Sequence, residues 1–272
     1  MQIEVLNQTK PSNKTAPLLN RAELFGDGFF TTGLIQNKQF KQQNAHLDRL
    51  SSSAERLGFS DYDTEALQIR LKSLLEEQAD ENERVIRISV TRVQAQRGYS
   101  VSNDAQTQCM ITLSKRPELL SRPCELFVAK TQVSRNQTIA GIKHLNRLDS
   151  VLASMEISNN QQEAIMLDGE QVICGSKTNV FFHLNDKWVT PKLDQCGILG
   201  ITRQRVLDAF ADNGIECSEQ MIKSNELKAC NSAFITNSLI GVWAASSIND
   251  RKLDLSYSNQ IQQLINFNLN HE

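Results

Sequence analysis

Apolar and β-branched residues run almost unbroken over residues 29–35, which predicts a strand, and Gln36-Asn37-Lys38 supplies the polar break for a hairpin turn after it. The spacing then changes. Leu47, Leu50, Ala54 and Leu57 fall on one face of a helix that Asn44 is placed to cap and Gly58 to end. A second helix is expected over residues 64–78. Residues 84–90 and 109–113 read as strands rich in apolar positions.

Over residues 114–123 this patterning stops, with two prolines and several charges in place of it. We read residues 114–122 as a linker between an N-terminal α/β domain, 1–113, and a C-terminal domain, 123–272. The second domain opens with a strand at 126–129, followed by a helix over 147–157. Hairpins are expected at Asp168-Gly169 and Asn185-Asp186, dipeptides that tolerate positive φ. A helix begins after Gly200 and runs through Val206, Leu207 and Phe210 to Gly214. Short strands and a last helix over 258–269 complete an α+β (mixed α/β) pattern in two domains.

Composition narrows the function classes only slightly. The 272 residues are 40% hydrophobic and 22% charged, enough for a sizeable core, and the formal net charge of -2 with no basic stripe argues against nucleic acid as a partner. No apolar run approaches the roughly 20 residues that span a bilayer, and residues 1–20 lack the apolar core of a secretion signal. The six cysteines are scattered without a C-x-x-C pair, so reduced thiols in a cytoplasmic protein are expected, with no metal site.

Four segments carry candidate chemistry. Lys143 lies in Ala140-Gly141-Ile142-Lys143-His144-Leu145-Asn146-Arg147, where apolar neighbours would desolvate its amine and leave it nucleophilic. Arg49, in His46-Leu47-Asp48-Arg49-Leu50, offers a fixed fork of donors to a phosphate. Gly197-Ile198-Leu199-Gly200-Ile201-Thr202-Arg203 presents free amides at a helix start, where phosphate binds, and Thr236-Asn237-Ser238 adds donors. Arg97-Gly98-Tyr99 reads as a loop for a carboxylate. Taken singly, each has an ordinary explanation: an exposed lysine, a solvated arginine, a capped helix, a turn, a surface loop. Their order along the chain carries the information.

That order resembles the fold-type IV pyridoxal-phosphate enzymes, the class IV aminotransferase-like family, from about Leu24 to Val242. The matching segments are Phe25-Gly26-Asp27-Gly28-Phe29-Phe30-Thr31-Thr32, the His-x-x-Arg-Leu and lysine segments, Thr178-Asn179-Val180-Phe181-Phe182, Val189-Thr190-Pro191 and the stretch from Gly197 to Arg203. Phe30-Thr31-Thr32, Arg97-Gly98-Tyr99 and Ala-Gly-Ile-Lys-His-Leu-Asn-Arg-Leu are similar to the aminodeoxychorismate lyase branch. The resemblance implies a homodimer with pyridoxal 5'-phosphate at the interface of two domains, the C-terminal one being the cofactor-binding domain, and loops contributed by the neighbouring copy. It implies that Lys143 bonds covalently to the cofactor and then shuttles a proton. Arg49 would grip the phosphate with Ile201, Thr202, Thr236 and Asn237. Thr32 would deliver a proton to a departing enolpyruvyl group, and Arg97 and Tyr99 would face the substrate. The reaction implied is conversion of 4-amino-4-deoxychorismate to 4-aminobenzoate and pyruvate, in folate synthesis.

One position departs from the family pattern. The glutamate that pairs with the cofactor's ring nitrogen is expected five residues before Asn179, and Cys174 stands there. A thiol with an ordinary pKa of roughly 8.5 holds no fixed negative charge near neutral pH. Glu170 is expected four residues along the same strand, on Cys174's face but out of reach. Two alternatives stay open: a D-amino-acid or branched-chain aminotransferase of the same fold, and a relic that binds the cofactor without turnover.

Overall fold

The computed structural model describes residues 2–7, 19–77, 83–94, 98–103, 105–118 and 122–270. They form two units. One holds the residues up to Pro117 together with Ile142–Asn146; the other holds Glu118–Gly141 and the chain from Arg147 onward.

In the first unit β1 (Gln2–Asn7), β2 (Leu19–Asn20), α1 (Arg21–Phe25), β3 (Gly28–Gln36), β4 (Gln39–Phe40), α2 (Gln43–Arg56), α3 (Thr64–Glu76), β5 (Arg84–Gln94) and β6 (Gln106–Lys115) follow one another. The sheet runs in the order β1-β6-β5-β3-β4, with β2 paired to β5. Asn37 and Lys38 both take positive φ (52° and 59°), as a two-residue hairpin turn between β3 and β4 requires. One face of the sheet offers Phe29, Ile86, Ile88 and Val90 to Leu47, Leu50, Leu67, Leu71 and Leu74 of the two helices. Each such leucine contributes roughly 1.5–3 kcal/mol by its removal from water.

The expected cap of α2 is corrected. Gln42 turns into the left-handed region (φ 57°) directly after β4, so the helix starts at Gln43 without a side-chain cap, and Asn44 is its second residue. The far end of α2 is held differently. Arg92 donates from one nitrogen to the carbonyls of Leu57 and Gly58, which the helix leaves unpaired, and from the other to Asp27. Asp27 also takes Arg21 Nε at 2.6 Å. Two buried arginines thus share one carboxylate in the Gly-Asp-Gly stretch.

The second unit contains β7 (Cys124–Val128), α4 (Leu148–Met155), β8 (Gln162–Asp168), β9 (Gln171–Gly175), β10 (Asn179–Leu184), β11 (Lys187–Pro191), α5 (Ile201–Asp212), β12 (Cys217–Gln220), β13 (Ser232–Asn237), β14 (Gly241–Ile248), β15 (Arg251–Lys252) and α6 (Leu255–Asn270). Its sheet runs β12-β11-β10-β13-β14-β7-β8-β9, with β15 on β14. Every residue of β10 is buried. Val180 and Phe182 enter one cluster, while Phe181 enters another with Phe210 of α5 and Ile261 and Ile265 of α6. Both faces of the strand are therefore covered, and simple alternation of polar and apolar residues is lost. The hairpin at Asn185-Asp186 forms with positive φ at both residues.

His46 of α2 sits inside the first unit at 1% exposure, its Nδ1 at 2.6 Å from Thr31 Oγ1 and its ring stacked on Phe40. Burial, reinforced by the charges of Arg49 and Lys143, lowers its pKa from 6.5 to about 3. The unfolded chain takes up this proton near 6.5 and the folded one only near about 3. Between those limits the unfolded state binds more protons, so stability falls as the pH is lowered and is fully present above the window. Between about pH 7 and about pH 4.5, urea unfolding of the wild type should lose on the order of 2–3 kcal/mol more than that of His46→Asn. Equal losses in the two proteins would remove His46 as the source.

Candidate active site

Lys143 reaches the first unit through backbone pairing. Phe30 N donates to Lys143 O at 2.9 Å, Leu145 N donates to Gly28 O at 2.9 Å, and Phe29 bridges His144 in antiparallel fashion. The segment Ile142–Asn146 thus lies along the edge of β3 that β5 does not occupy. A Cβ on Gly28 would stand 2.5 Å from Val90 O and 2.8 Å from Leu145 Cδ1, so only glycine lets both neighbours approach here.

The side-chain face follows from this register. Phe30 and Thr32 point away from the helices, as do Arg87 and Ser89 on β5, with Thr32 directly opposite Arg87. Among interior positions, Thr32 of β3 and Arg87 of β5 are the half-buried ones; their strand neighbours on both sides are buried. The ring of Phe30 carries two cations, Arg87 Cζ at 3.7 Å and Lys143 Nζ at 4.7 Å from its centroid. Arg87 Nε donates to Ser89 Oγ at 3.1 Å. Arg49 lies one helical turn beyond His46 and is half-buried; desolvation brings its guanidinium to about 10, still charged at neutral pH.

Arg87 and Lys143 both meet the ring of Phe30, and Thr32 lies on the same face of β3 as Phe30, opposite Arg87. Tyr99 is 84% exposed, its ring tilted against Phe25 at 5.0 Å and its carbonyl held by Arg21. Arg97 lies outside the described residues. Arg87, Phe30 and Ser89 were not singled out from sequence. The available signal was a charge in the middle of the run Val85-Ile86-Arg87-Ile88.

The second unit offers an anion site of its own. Gly200 precedes α5 without a side-chain cap, and the first amides of a helix have no partner within it. Thr202 is 2% exposed and its Oγ1 is buried without a hydrogen-bond partner. A Cβ on Gly200 would meet Asn179 Oδ1 at 2.0 Å, while Asn179 Nδ2 donates to Ile198 O. These contacts fix the turn that delivers the helix start. Thr236 instead donates its hydroxyl to Gly241 O, and Asn237 Oδ1 accepts the amides of Leu239 and Ile240, so both side chains shape the turn between β13 and β14.

Cys174 stands opposite Met166 of β8. Burial pushes its thiol up to about 12, against the opposing charge of Arg147. It is a neutral group at any physiological pH. Glu170 is corrected: it lies exposed in the β8–β9 turn, outside the strand, and an irregular register between Met166 and Leu167 breaks the alternation expected between it and Cys174. The structure adds a carboxylate that sequence reasoning missed. Glu163 of β8 is fully buried, and its Oε1 accepts Ser176 N at 2.7 Å and Ser176 Oγ at 2.6 Å. Burial raises its pKa. It faces the Cβ direction of Gly175, 3.1 Å away, and adjacent strand residues point to opposite faces. Glu163 therefore does not stand in for a carboxylate at Cys174.

Among the described residues no group of three or more His, Cys, Asp or Glu could hold a metal ion, and no helix is long and apolar enough to cross a membrane.

The chain is similar to proteins of two activities. An aminodeoxychorismate lyase of Vibrio harveyi is 28% identical over 248 residues, covering 88% of this chain and 90% of the relative. A D-alanine aminotransferase of Listeria monocytogenes is 29% identical over 240 residues, covering 86% and 83%. The crystal structure of 4-amino-4-deoxychorismate lyase from Pseudomonas aeruginosa superposes with a TM-score of 0.88 at 27% identity, over 98% of this chain and 99% of that one. The fold is that of fold-type IV enzymes. Residues 28–248 match the family model of class IV amino-transferases, and the chain belongs to that family.

Proposed function

We propose that this protein is a pyridoxal-phosphate-dependent lyase that converts 4-amino-4-deoxychorismate to 4-aminobenzoate and pyruvate, in the cytoplasm and in the service of folate synthesis. The class IV family is pyridoxal-phosphate-dependent. The residues present suit that cofactor. Thr202 Oγ1 is an orphaned buried hydroxyl beside unpaired helix amides, a donor set for a phosphate, and Arg49 is a charged guanidinium. Lys143 supplies a primary amine and Cys174 a neutral thiol; the backbone about Ile201, Thr236 and Asn237 completes the proposed set. When bound, the cofactor supplies an aldehyde that condenses with amines and a ring that withdraws the electrons of a breaking C–H bond.

The observation that carries the lyase reading is the place of Thr32 on the face of β3 where Lys143 meets Phe30, combined with the neutral thiol of Cys174. Lys143 removes the proton from the ring carbon that carries the substrate's nitrogen. Enolpyruvate leaves from the neighbouring ring carbon, and Thr32 delivers a proton to its methylene group, giving pyruvate. The remaining ring becomes aromatic, and this supplies much of the driving force. An amino transfer has no such help and depends on the ring's electron demand, which a carboxylate at position 174 would strengthen and a thiol does not. The D-alanine aminotransferase relatives keep that second activity in view.

Purified protein with bound cofactor should release 4-aminobenzoate and pyruvate in equal amounts from aminodeoxychorismate. Lys143→Ala should lower the rate at least about 10³-fold, the scale on which removal of a nucleophile or general base acts. Amino transfer from D-alanine to 2-oxoglutarate, measured on the same preparation, should be slower than lyase turnover. A transfer rate equal to it or greater would overturn the assignment, as would a Lys143→Ala protein of wild-type activity.

We also propose that the protein is a homodimer. Leu148, Val151, Leu152 and Met155 recur at helical spacing on α4 and are 69%, 52%, 46% and 77% exposed. A contiguous apolar stripe of this kind suits a self-complementary contact. Light scattering should give twice the chain mass, and Leu148→Glu with Met155→Glu should halve it with the melting curve preserved. A wild-type monomer at micromolar concentration would refute the dimer.

A further inference from the structure

We propose that Arg21 is a positioning residue for the loop at Gly98-Tyr99-Ser100: its guanidinium fixes the course of that backbone and so the place of the Tyr99 ring. The inference rests on the lyase reading, in which this loop meets the substrate, and adds to it the group that holds the loop ready. Arg21 is 4% exposed. Its Nη1 donates to Gly98 O at 2.8 Å and to Ser100 O at 3.4 Å, its Nη2 to Tyr99 O at 2.9 Å, and its Nε to Asp27. In an extended strand successive carbonyls point to opposite sides, so three in a row meet one guanidinium only where the backbone curls. Gly98, at φ 100°, supplies the curl in a region that L side chains rarely adopt. Gln94, fully buried at the end of β5, is a second support for the same loop. Its Nε2 donates to Ser100 O, and its Oε1 accepts Ser102 N and Ser102 Oγ.

A turn at the surface needs no buried cation for its own sake, and its side chains indicate the purpose. Tyr99 is largely exposed, yet its ring is braced against Phe25, and Arg21 Cζ lies 5.1 Å from the centroid of that same Phe25 ring. With the carbonyls drawn inward and the ring supported, the loop presents an aromatic face and a phenol at little further loss of entropy on binding. Asp27 allows the cation to be buried, since it takes Arg21 Nε at 2.6 Å and Arg92 Nη1 at 3.0 Å. Asp27 directly precedes Gly28, the first residue of β3, so the loop is tied to the start of the strand that carries Thr32. The clamp is set before substrate arrives, and this holds whichever copy's site the loop serves. Its loss therefore acts on binding, because a loosened loop must be ordered by the substrate itself.

The test is steady-state turnover of aminodeoxychorismate by holoenzyme in the wild type, Arg21→Met and Arg21→Lys, with Arg21→Met measured again in a background carrying Arg97→Ala and Tyr99→Ala. Arg21→Met should raise KM about 10-fold and leave kcat within about threefold, with cofactor content unchanged after alkaline release. Arg21→Lys keeps a charge beside Asp27 but loses the planar fork, and its KM should stay raised at least about threefold. In the background without the two loop side chains, Arg21→Met should change KM by less than about twofold, the non-additivity of a group that acts through the loop. Gln94→Leu loosens the same loop without touching Asp27 and should raise KM in the same direction, which keeps the test decisive where Arg21→Met does not fold. A fall in kcat with KM unchanged, an additive effect on KM in the loop background, or wild-type KM in Arg21→Lys would overturn the assignment of Arg21 while the wild type still turned over. A wild type that forms no 4-aminobenzoate would instead overturn the lyase reading, and this inference with it.

Discussion

The double pairing of β3 is the constraint from which the first unit's chemistry follows. One edge of this strand is filled by β5 and the other, over Gly28 to Phe30, by the backbone of Lys143 to Leu145. Lys143 is therefore fixed by main-chain hydrogen bonds to a strand more than a hundred residues earlier, and its amine falls beside Phe30 for reasons that do not depend on the lysine side chain. Such a contact is slow to find, because a long loop must close before any bond rewards it. Once made, it is difficult to lose locally. Gly28 admits the backbone of β5 and the side chain of Leu145 at distances that a Cβ would forbid, and Asp27 beside it ties Arg21 and Arg92 into the same corner. The Gly-Asp-Gly stretch is thus a packing device for the strand that carries the hydroxyls.

Two threonines in succession divide the labour of that strand. Alternation sends Thr31 toward the helices, where it meets the buried ring of His46, and sends Thr32 to the other face, opposite Arg87. The neutrality of His46 is a requirement of its surroundings. With Arg49 one turn away and Lys143 near enough to be felt, a third positive charge in the interior would have neither solvent nor a counter-ion. The ring is consequently available as an uncharged hydrogen-bond partner that links β3 to the helix bearing Arg49.

Much of this was legible in the residues and some was not, for identifiable reasons. The hairpin at Asn37-Lys38 and the stop at Gly58 are written in the chain, since positive φ selects residues that tolerate it. Helical faces on α2 and α3 were legible because leucines repeat at the spacing of a buried stripe. The start of α2 was misplaced because Gln42, a residue with no special liking for the left-handed region, takes it up after β4. Arg87 was passed over because one charge in an apolar run leaves the strand reading intact and says nothing about its cross-strand neighbour. Glu163 was missed likewise, since its partner Ser176 lies beyond the next turn. The pairing of Lys143 with β3 leaves no periodic trace at all; its segment was found by its resemblance to a family motif.

Cys174 decides how the second unit should be understood. The nearby carboxylates do not compensate for it: Glu163 faces the opposite side of its strand pair, and Glu170 is exposed in a turn. Arg147, a cation, and more weakly the carboxylates of Asp149 and Glu163 act on Cys174, and burial keeps the thiol protonated. A neutral thiol holds no fixed negative charge for a positively charged ring nitrogen, so a cofactor facing it would be a weaker electron sink than one facing a carboxylate. A reaction whose product is an aromatic ring needs that sink least, because the carbanion's electrons pass at once into a new ring double bond as the neighbouring C–O bond breaks. A transamination must instead hold them until a proton returns from the other side. On the proposed lyase reading, a thiol in place of a carboxylate therefore costs this reaction less than it would cost an amino transfer.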